Sequence, residues 1–346
     1  MNTVLIIGSG IAGSSLAYQL GKRDISYVHV CDTRNPLANT SSKSYGHCRI
    51  VKKPEQLYEF SQQSLNCSKN ELSYYKDSPL VEKFFEELDI DFLTKSFGII
   101  PKEQKPRGGH LILKRLQQQI RPIHTDNHII SVQEFSHHAQ ATTENTLYEA
   151  EYIVLAIGGF APYLHLSDAV KYQGDELFTA SDSSVEHRDS FFIHPFGYLN
   201  GRDVLTGKEV QRGIFKTRTG EQFFSSELEK HLRADTYHEI FPKIVEQMNA
   251  RECFFTSKHF NGGKPLEVRP VFHYTSGGFR TDPNHLIVPH KRIFSLGECE
   301  VDGSKNGGRL PGMPFTKSII GAIHVANYIY HQRHMQCDTH GTDRNS

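Results

Sequence analysis

The stretch Gly8-Ser9-Gly10-Ile11-Ala12-Gly13 constrains this chain more than any other. Val4 to Ile7 before it is an apolar, β-branched run, the mark of a buried strand. Ser14 to Lys22 after it has good helix formers and apolar residues on one face. Tyr27 to Cys31 reads as a second strand, ending at Asp32, so the opening of the chain predicts a βαβ unit. In such a unit Gly8 permits the tight turn, Gly10 lets a pyrophosphate approach the backbone, and Gly13 lets the helix pack on the sheet. The N–H groups of Ile11 and Ala12 lie in the first turn of the helix, where they favour phosphate charge. Asp32, nineteen residues after Gly13, is placed to accept hydrogen bonds from an adenosine ribose, with Thr33 and Arg34 beside it. The alternative is a glycine turn in an ordinary α/β protein.

Charge narrows the partners. Lysine plus arginine equal aspartate plus glutamate at 39 each, so no global field favours nucleic acid or an anionic membrane surface. A small-molecule substrate is expected. No apolar run reaches the roughly 18 to 20 residues that cross a bilayer, so no membrane span is expected. The six cysteines lack a C-x-x-C pair and any cysteine-histidine metal spacing. They are read as reduced thiols in the cytoplasm. No H-E-x-x-H frame occurs among the 20 histidines, and no metal is expected.

Along the chain, Asn35 to Tyr45 reads as a loop, Pro54 to Tyr75 as helical and Leu80 to Leu88 as a short helix. Arg107 to His110 is a break before a helix over Leu111 to Ile120. His128 to Val132 reads as a third parallel strand, and Tyr148 to Ile157 as a strong strand running into Gly158-Gly159. From Ser181 to Gly262 short aromatic and β-branched runs signal a second domain, with one helical stretch over Ser225 to Asn249. Ser318 to His331 reads as an amphipathic helix, and Gln332 to Ser346 as a loose polar tail.

The C-terminal part resembles flavoproteins of the glutathione-reductase-type superfamily. Arg292 to Glu298 resembles the strand and G-[DE] element, here Gly297-Glu298, with which such proteins hold FAD, and Tyr152 to Gly159 resembles their middle motif. A helix starting near Thr316, with Pro314 and Phe315, would aim its N-terminus at the flavin ring. The N-terminal half is similar to the D-amino-acid-oxidase-like (DAO) family, on Ser41-Ser42, Gly46-His47-Cys48-Arg49-Ile50, Gly98 to Ile100, the turn at Gly108 and Gln173-Gly174. The C-terminal part also resembles the fumarate-reductase and L-aspartate-oxidase flavoproteins, on His273 to Gly278 and on Gly308-Arg309. It lacks that group's glycine-serine-rich first loop, the histidine setting for covalent flavin and the capping-domain arginine motif.

These resemblances imply an α/β fold: a Rossmann-type FAD-binding domain with an interleaved α+β substrate domain. Residues 1–75, 106–180 and 270–332 are assigned to the first, 76–105 and 181–269 to the second, and 333–346 to the tail. They imply non-covalent FAD held by Gly8, Gly10, Ile11, Ala12, Gly13, Asp32, Thr33, Arg34, Ser42, Gly158, Gly297, Glu298, Gly308, Arg309, Pro314, Phe315 and Thr316.

Arg49, His273 and Arg309 are the candidates to orient a substrate near flavin N5. Against these stand a loop arginine paired to a carboxylate at 49 and a hydrogen-bonded core histidine at 273. The fork of Arg309 suits a carboxylate. Lys305 and Lys317 are read as solvated, and Cys48 as a small buried side chain. The expected activity is an oxidase or dehydrogenase taking a hydride from a small amine or amino-acid-like carboxylate. Alternatives are an NAD(P)H-dependent flavin monooxygenase, a fumarate-reductase or aspartate-oxidase-type dehydrogenase, and a non-catalytic flavin-binding maturation factor.

Overall fold

The computed structural model describes residues 2–52, 74, 76–95, 98–105, 107–159, 185–186, 191–198, 203–234, 241–275, 278–300 and 313–341. They divide into two compact units, Met1–Phe160 with Val170–Ser190 and Thr275–Ser346, and Ala161–Ala169 with Phe191–Tyr274.

The first unit opens with β1 (Asn2–Ile7), α1 (Ile11–Gly21) and β2 (Tyr27–Val30). Val4, Leu5, Ile6 and Ile7 are all buried, because strand side chains alternate between faces and both faces of β1 are covered. There follow α2 (Thr40–Lys43), β3 (Cys48–Arg49), α3 (Leu80–Glu87), β4 (Phe92–Lys95), β5 (Gly98–Pro101) and α4 (Gly108–Gln117). The hairpins β6 (Ser131–Glu134), β7 (Ala139–Thr142) and β8 (Leu147–Leu155) complete the N-terminal part. The main sheet runs β2-β1-β8-β7-β6. Strands β1 and β2, and β1 and β8, pair in parallel, while β6, β7 and β8 pair antiparallel.

The second unit holds a five-stranded sheet, β11-β10-β14-β13-β12, comprising β10 (Phe191–Tyr198), β11 (Asp203–Val204), β12 (Ile214–Lys216), β13 (Cys253–Thr256) and β14 (Leu266–Thr275). A two-residue β9 (Val185–Glu186) precedes it and belongs to the first unit. Helices α5 (Gly207–Arg212), α6 (Ser226–Ala234) and α7 (Phe241–Ala250) accompany the sheet. Its core is aromatic, with Phe196, Phe215, Phe223, Phe224 and Phe255 in one cluster. A capping box between Thr206 and Glu209 starts α5.

The chain then returns to the first unit through β15 (Gly278–Phe279), β16 (Ile293–Ser295) and α8 (Met313–Gly341). Strand β16 adds to β8 in parallel, with Ile293 opposite Ile153. The sheet is thereby built from both ends of the sequence.

Three expectations need correction. Residues 128–132 do not form a third parallel strand. Strand β6 spans Ser131–Glu134 and pairs antiparallel with β7, because the connection between them closes through Phe135 N–H to His138 O and is too short for a crossover. Residues 76–105 fall in the first unit: Val81, Phe84, Phe85 and Leu88 share a core with Phe315, Ile319 and Ile320 of α8. Within the helical stretch expected over 225–249 the described residues form α6 and α7, and 235–240 lie outside the described residues. The tail does not begin at Gln332, since α8 continues to Gly341. The helical reading of Pro54 to Tyr75 lies almost wholly outside the described residues, with only Tyr74 inside.

Candidate functional site

The turn between β1 and α1 is built from close backbone approach. Gly8 has φ of +114°, and a Cβ there would lie 2.2 Å from the Ala156 carbonyl oxygen at the end of β8. A Cβ on Gly13 would lie 2.0 Å from the Gly8 carbonyl oxygen. Only glycine fits either place. A crevice opens here, lined by Gly8, Ser9, Gly10, Asp32, Thr33 and Asn39, with Ala156 and Ile157 closing it. The lining thus combines the glycine turn that leads into α1 with Asp32, two residues beyond the end of β2. These described residues fit the diphosphate and ribose of an adenine dinucleotide.

The loop after β2 brings a hydroxyl to this crevice. Ser41 Oγ accepts a hydrogen bond from Ile11 N–H at 3.2 Å and lies 3.3 Å from where a Gly10 Cβ would be. Ser42, the residue expected to contact the cofactor, is buried; its Oγ is 2.9 Å from His110 Nδ1 and its N–H bonds to Asn39 Oδ1 at 3.0 Å. The short α2 starts at Thr40, capped by that Asn39 oxygen, and its turn sets which serine faces α1. Close contact with α4 holds the loop, since a Cβ on Gly109 would meet the Ser41 carbonyl at 2.1 Å.

The remaining predicted cofactor residues are placed as follows. Ile11 and Ala12 are buried in α1. Arg34 is exposed and pairs with Asp126 at 3.6 Å, and Thr33 Oγ1 donates to Asn35 O at 3.0 Å. Gly158 follows β8 with φ of +78°. Gly297 has φ of +81°, and a Cβ there would lie 3.0 Å from Ala12 Cβ and 3.2 Å from Ser318 Oγ. The G-E element thus touches both α1 and α8. Glu298 is half-buried beside it. Pro314 O accepts from Ser318 Oγ at 2.8 Å, Phe315 packs in the apolar core, and Thr316 Oγ1 donates to Arg49 O at 2.8 Å. Gly308 and Arg309 lie outside the described residues.

Of the catalytic candidates, Arg49 is buried on β3 in the first unit, and His273 is on β14 in the second. His47, beside Cys48, is held neutral. Burial first, then the charges of Arg49 and Lys95, push its pKa down to about 4. Cys48 is fully buried and its thiol pKa is pushed up by desolvation.

Lys317 is the clearest departure from expectation. It is 5% exposed, with Nζ 5.8 Å from the centre of the Tyr74 ring. It belongs to a buried polar cluster that sequence reasoning missed. Glu300 Oε1 accepts from Thr281 Oγ1 at 2.8 Å and Oε2 from Tyr74 O–H at 3.0 Å, and His285 Nδ1 lies 3.2 Å from Oε1. Burial alone would raise the Glu300 pKa, but the charges of His285 and Lys317 and these hydrogen bonds bring it down to about 2. His324, one turn beyond Gly321, stacks on Tyr74 and bonds to Asp77 at 2.8 Å. The i, i+4, i+7 spacing of Lys317, Gly321 and His324 was the available signal. Among the described residues no group of three or more metal-ligating side chains is placed to hold an ion, and no helix is long and apolar enough to cross a membrane.

Comparison with known proteins agrees with this fold. Residues 3–121 match the sequence model of the DAO family, FAD dependent oxidoreductase. L-aspartate oxidase of Pyrococcus furiosus is 23% identical over 95% of this chain and 78% of its own. The solved quinol fumarate reductase of E. coli superposes with a TM-score of 0.76, at 16% identity over 97% of this chain and 71% of that one. A 3-ketosteroid dehydrogenase from Sterolibacterium denitrificans gives 0.69, at 11% identity over 96% of this chain and 100% of that one.

Proposed function

We propose that this FAD-dependent oxidoreductase oxidises a small amine that carries a carboxylate, with an amino acid as the first candidate. When bound, FAD supplies the acceptor for a hydride from the substrate, and oxygen or another carrier takes the electrons onward. One observation carries the reading: the glycine turn of the N-terminal βαβ unit and the Gly297 element of the C-terminal part meet across Ala12 and Gly297. Both can therefore serve one extended ligand.

In this reading the N–H groups opening α1 and the Ser41 hydroxyl hold the diphosphate, and Asp32 accepts from the ribose. Thr33, Gly158, Gly297 and Glu298 would flank the chain of the cofactor. The first turn of α8 would face the flavin, where its N–H groups would favour developing negative charge. Arg309 is assigned to a substrate carboxylate and Arg49 to substrate or flavin; His273, taken by itself, is a candidate for a carboxylate or a proton. The relative L-aspartate oxidase makes an amino dicarboxylic acid the first compound to try. Buried free thiols at Cys31, Cys48, Cys253 and Cys299 suit a reducing compartment such as the cytoplasm.

The test is anaerobic mixing of the flavin-loaded protein with amino acids, N-methyl amines and dicarboxylates. An amino acid substrate should bleach the oxidised flavin bands without added nicotinamide. Bleaching only by NAD(P)H would replace this reading with a monooxygenase, and bleaching only by a dicarboxylate lacking nitrogen would favour a dehydrogenase of the fumarate-reductase type.

A further inference from the structure

His29 sits on β2 behind the glycine turn and is 1% exposed. Its Nε2 is 2.9 Å from the Gly8 carbonyl oxygen. It is also 3.3 Å from where a Gly13 Cβ would stand, so glycine at 13 makes room for the ring as well as for the turn. The same strand takes the other end of this residue, because Gly8 N–H donates to Val30 O at 2.9 Å. Burial first lowers the His29 pKa, to about 4. The ring is therefore neutral near pH 7 with one N–H, and the acceptor facing Nε2 assigns that proton to Nε2.

The next carbonyl is held in the same manner. Ser9 O accepts from Ser14 Oγ at 3.0 Å and from Asn39 Nδ2 at 3.3 Å. A trans peptide is planar, with its C=O and the following N–H on opposite sides. Pinning Gly8 O toward β2 turns the Ser9 N–H the other way, and pinning Ser9 O does the same for Gly10. Ser9 and Gly10 both line the crevice. Two successive N–H groups aimed from one turn form an anion-binding concavity.

We propose that His29 is a positioning residue for the dinucleotide: by donating Nε2–H to the Gly8 carbonyl it orients the Gly8–Ser9 peptide, and through it the affinity for FAD. The inference rests on the reading that this turn holds the diphosphate of FAD. A histidine that merely fills core space would be replaced by leucine at no cost to cofactor binding. One that donates a hydrogen bond would be replaced best by glutamine.

The experiment titrates the apoproteins of the unaltered chain, His29→Gln and His29→Leu with FAD, following quenching of flavin fluorescence, and records the melting temperature of each apoprotein. H29L should bind FAD at least about tenfold more weakly, and H29Q should stay within about threefold of the unaltered chain. A folded H29L with unchanged affinity overturns the proposal, as does an H29Q weakened as much as H29L. Should H29L fail to fold, nitrogen-15 spectra of histidine-labelled protein decide, with the His29 signal identified by its loss in H29Q. A neutral Nε2-protonated ring at pH 6 supports the role, and an Nδ1-protonated or charged ring overturns it. No FAD binding by the unaltered chain would instead remove the underlying reading.

Discussion

Gly297 packs against Ala12 so closely that a Cβ on it would come within 3.0 Å of the alanine methyl. Nearly the whole sequence separates the two residues, yet the contact sits where the dinucleotide turn becomes helix. With φ of +81° at Gly297, any side chain is strained as well as crowded. Gly297→Ala should therefore lower FAD affinity more than a surface glycine change such as Gly220→Ala, whose Cβ would meet nothing within 4 Å. Paired FAD titrations of the two variants check this, with equal affinities counting against a shared site.

Ser41 and Ser42 should separate. Loss of the Ser41 hydroxyl removes the partner of Ile11 N–H, and a hydrogen bond of this kind is worth about 1 kcal/mol, or about fivefold in affinity. Ser41→Ala should change the FAD dissociation constant by about that factor. Ser42→Ala, whose hydroxyl is engaged with His110, should change it less. The reverse order would mean that the loop turns over when the cofactor binds.

Glu300 should make stability depend on acid pH. Its pKa is about 2 in the folded protein against an ordinary 4.5, so the unfolded chain binds the proton more readily. The stabilisation it gives is complete above about pH 4.5 and is lost as pH falls toward 2. Glu300→Gln leaves Lys317 and His285 buried without the carboxylate, a kind of change that costs about 3–5 kcal/mol. Denaturant melts at pH 7 should show the loss, and the difference from the unaltered chain should shrink as pH falls from 4.5. A difference independent of pH would contradict the charged state assigned to this carboxyl.

Arg309 carries the carboxylate assignment. Arg309→Ala should weaken binding of the bleaching substrate by about tenfold or more, as expected for a lost charge-assisted hydrogen bond. The flavin absorption bands should remain. Unchanged substrate affinity would release Arg309 from this role.

The part of the fold that depends on local pattern was legible in the sequence. The β-branched run at Val4 to Ile7, the glycine spacing and the acidic end of β2 correspond to β1, the turn, α1 and Asp32, because each is fixed by backbone sterics within a few residues. Strand direction at Ser131 to Glu134 was not legible, since an isolated polar strand carries no mark of parallel or antiparallel pairing. The placement of 76–105 was missed because Phe84 and Phe85 pack on α8 from more than two hundred residues away. For the same reason composition misread Lys317 as solvated: its partners Tyr74 and Glu300 come from two other segments of the chain. At Ser41 and Ser42 the sequence marked the right dipeptide, and the one-turn helix decided which hydroxyl faces α1.

The Gly8–Gly13 turn is assigned to the diphosphate of an adenine dinucleotide that carries flavin. Titration of the apoprotein with FAD, FMN and ADP tests it most directly. FAD fluorescence should be quenched saturably at one equivalent, ADP should compete, and FMN, which lacks the adenosine that Asp32 would hold, should not bind comparably. Failure to bind FAD, or FMN binding as tightly as FAD with no competition from ADP, would contradict it.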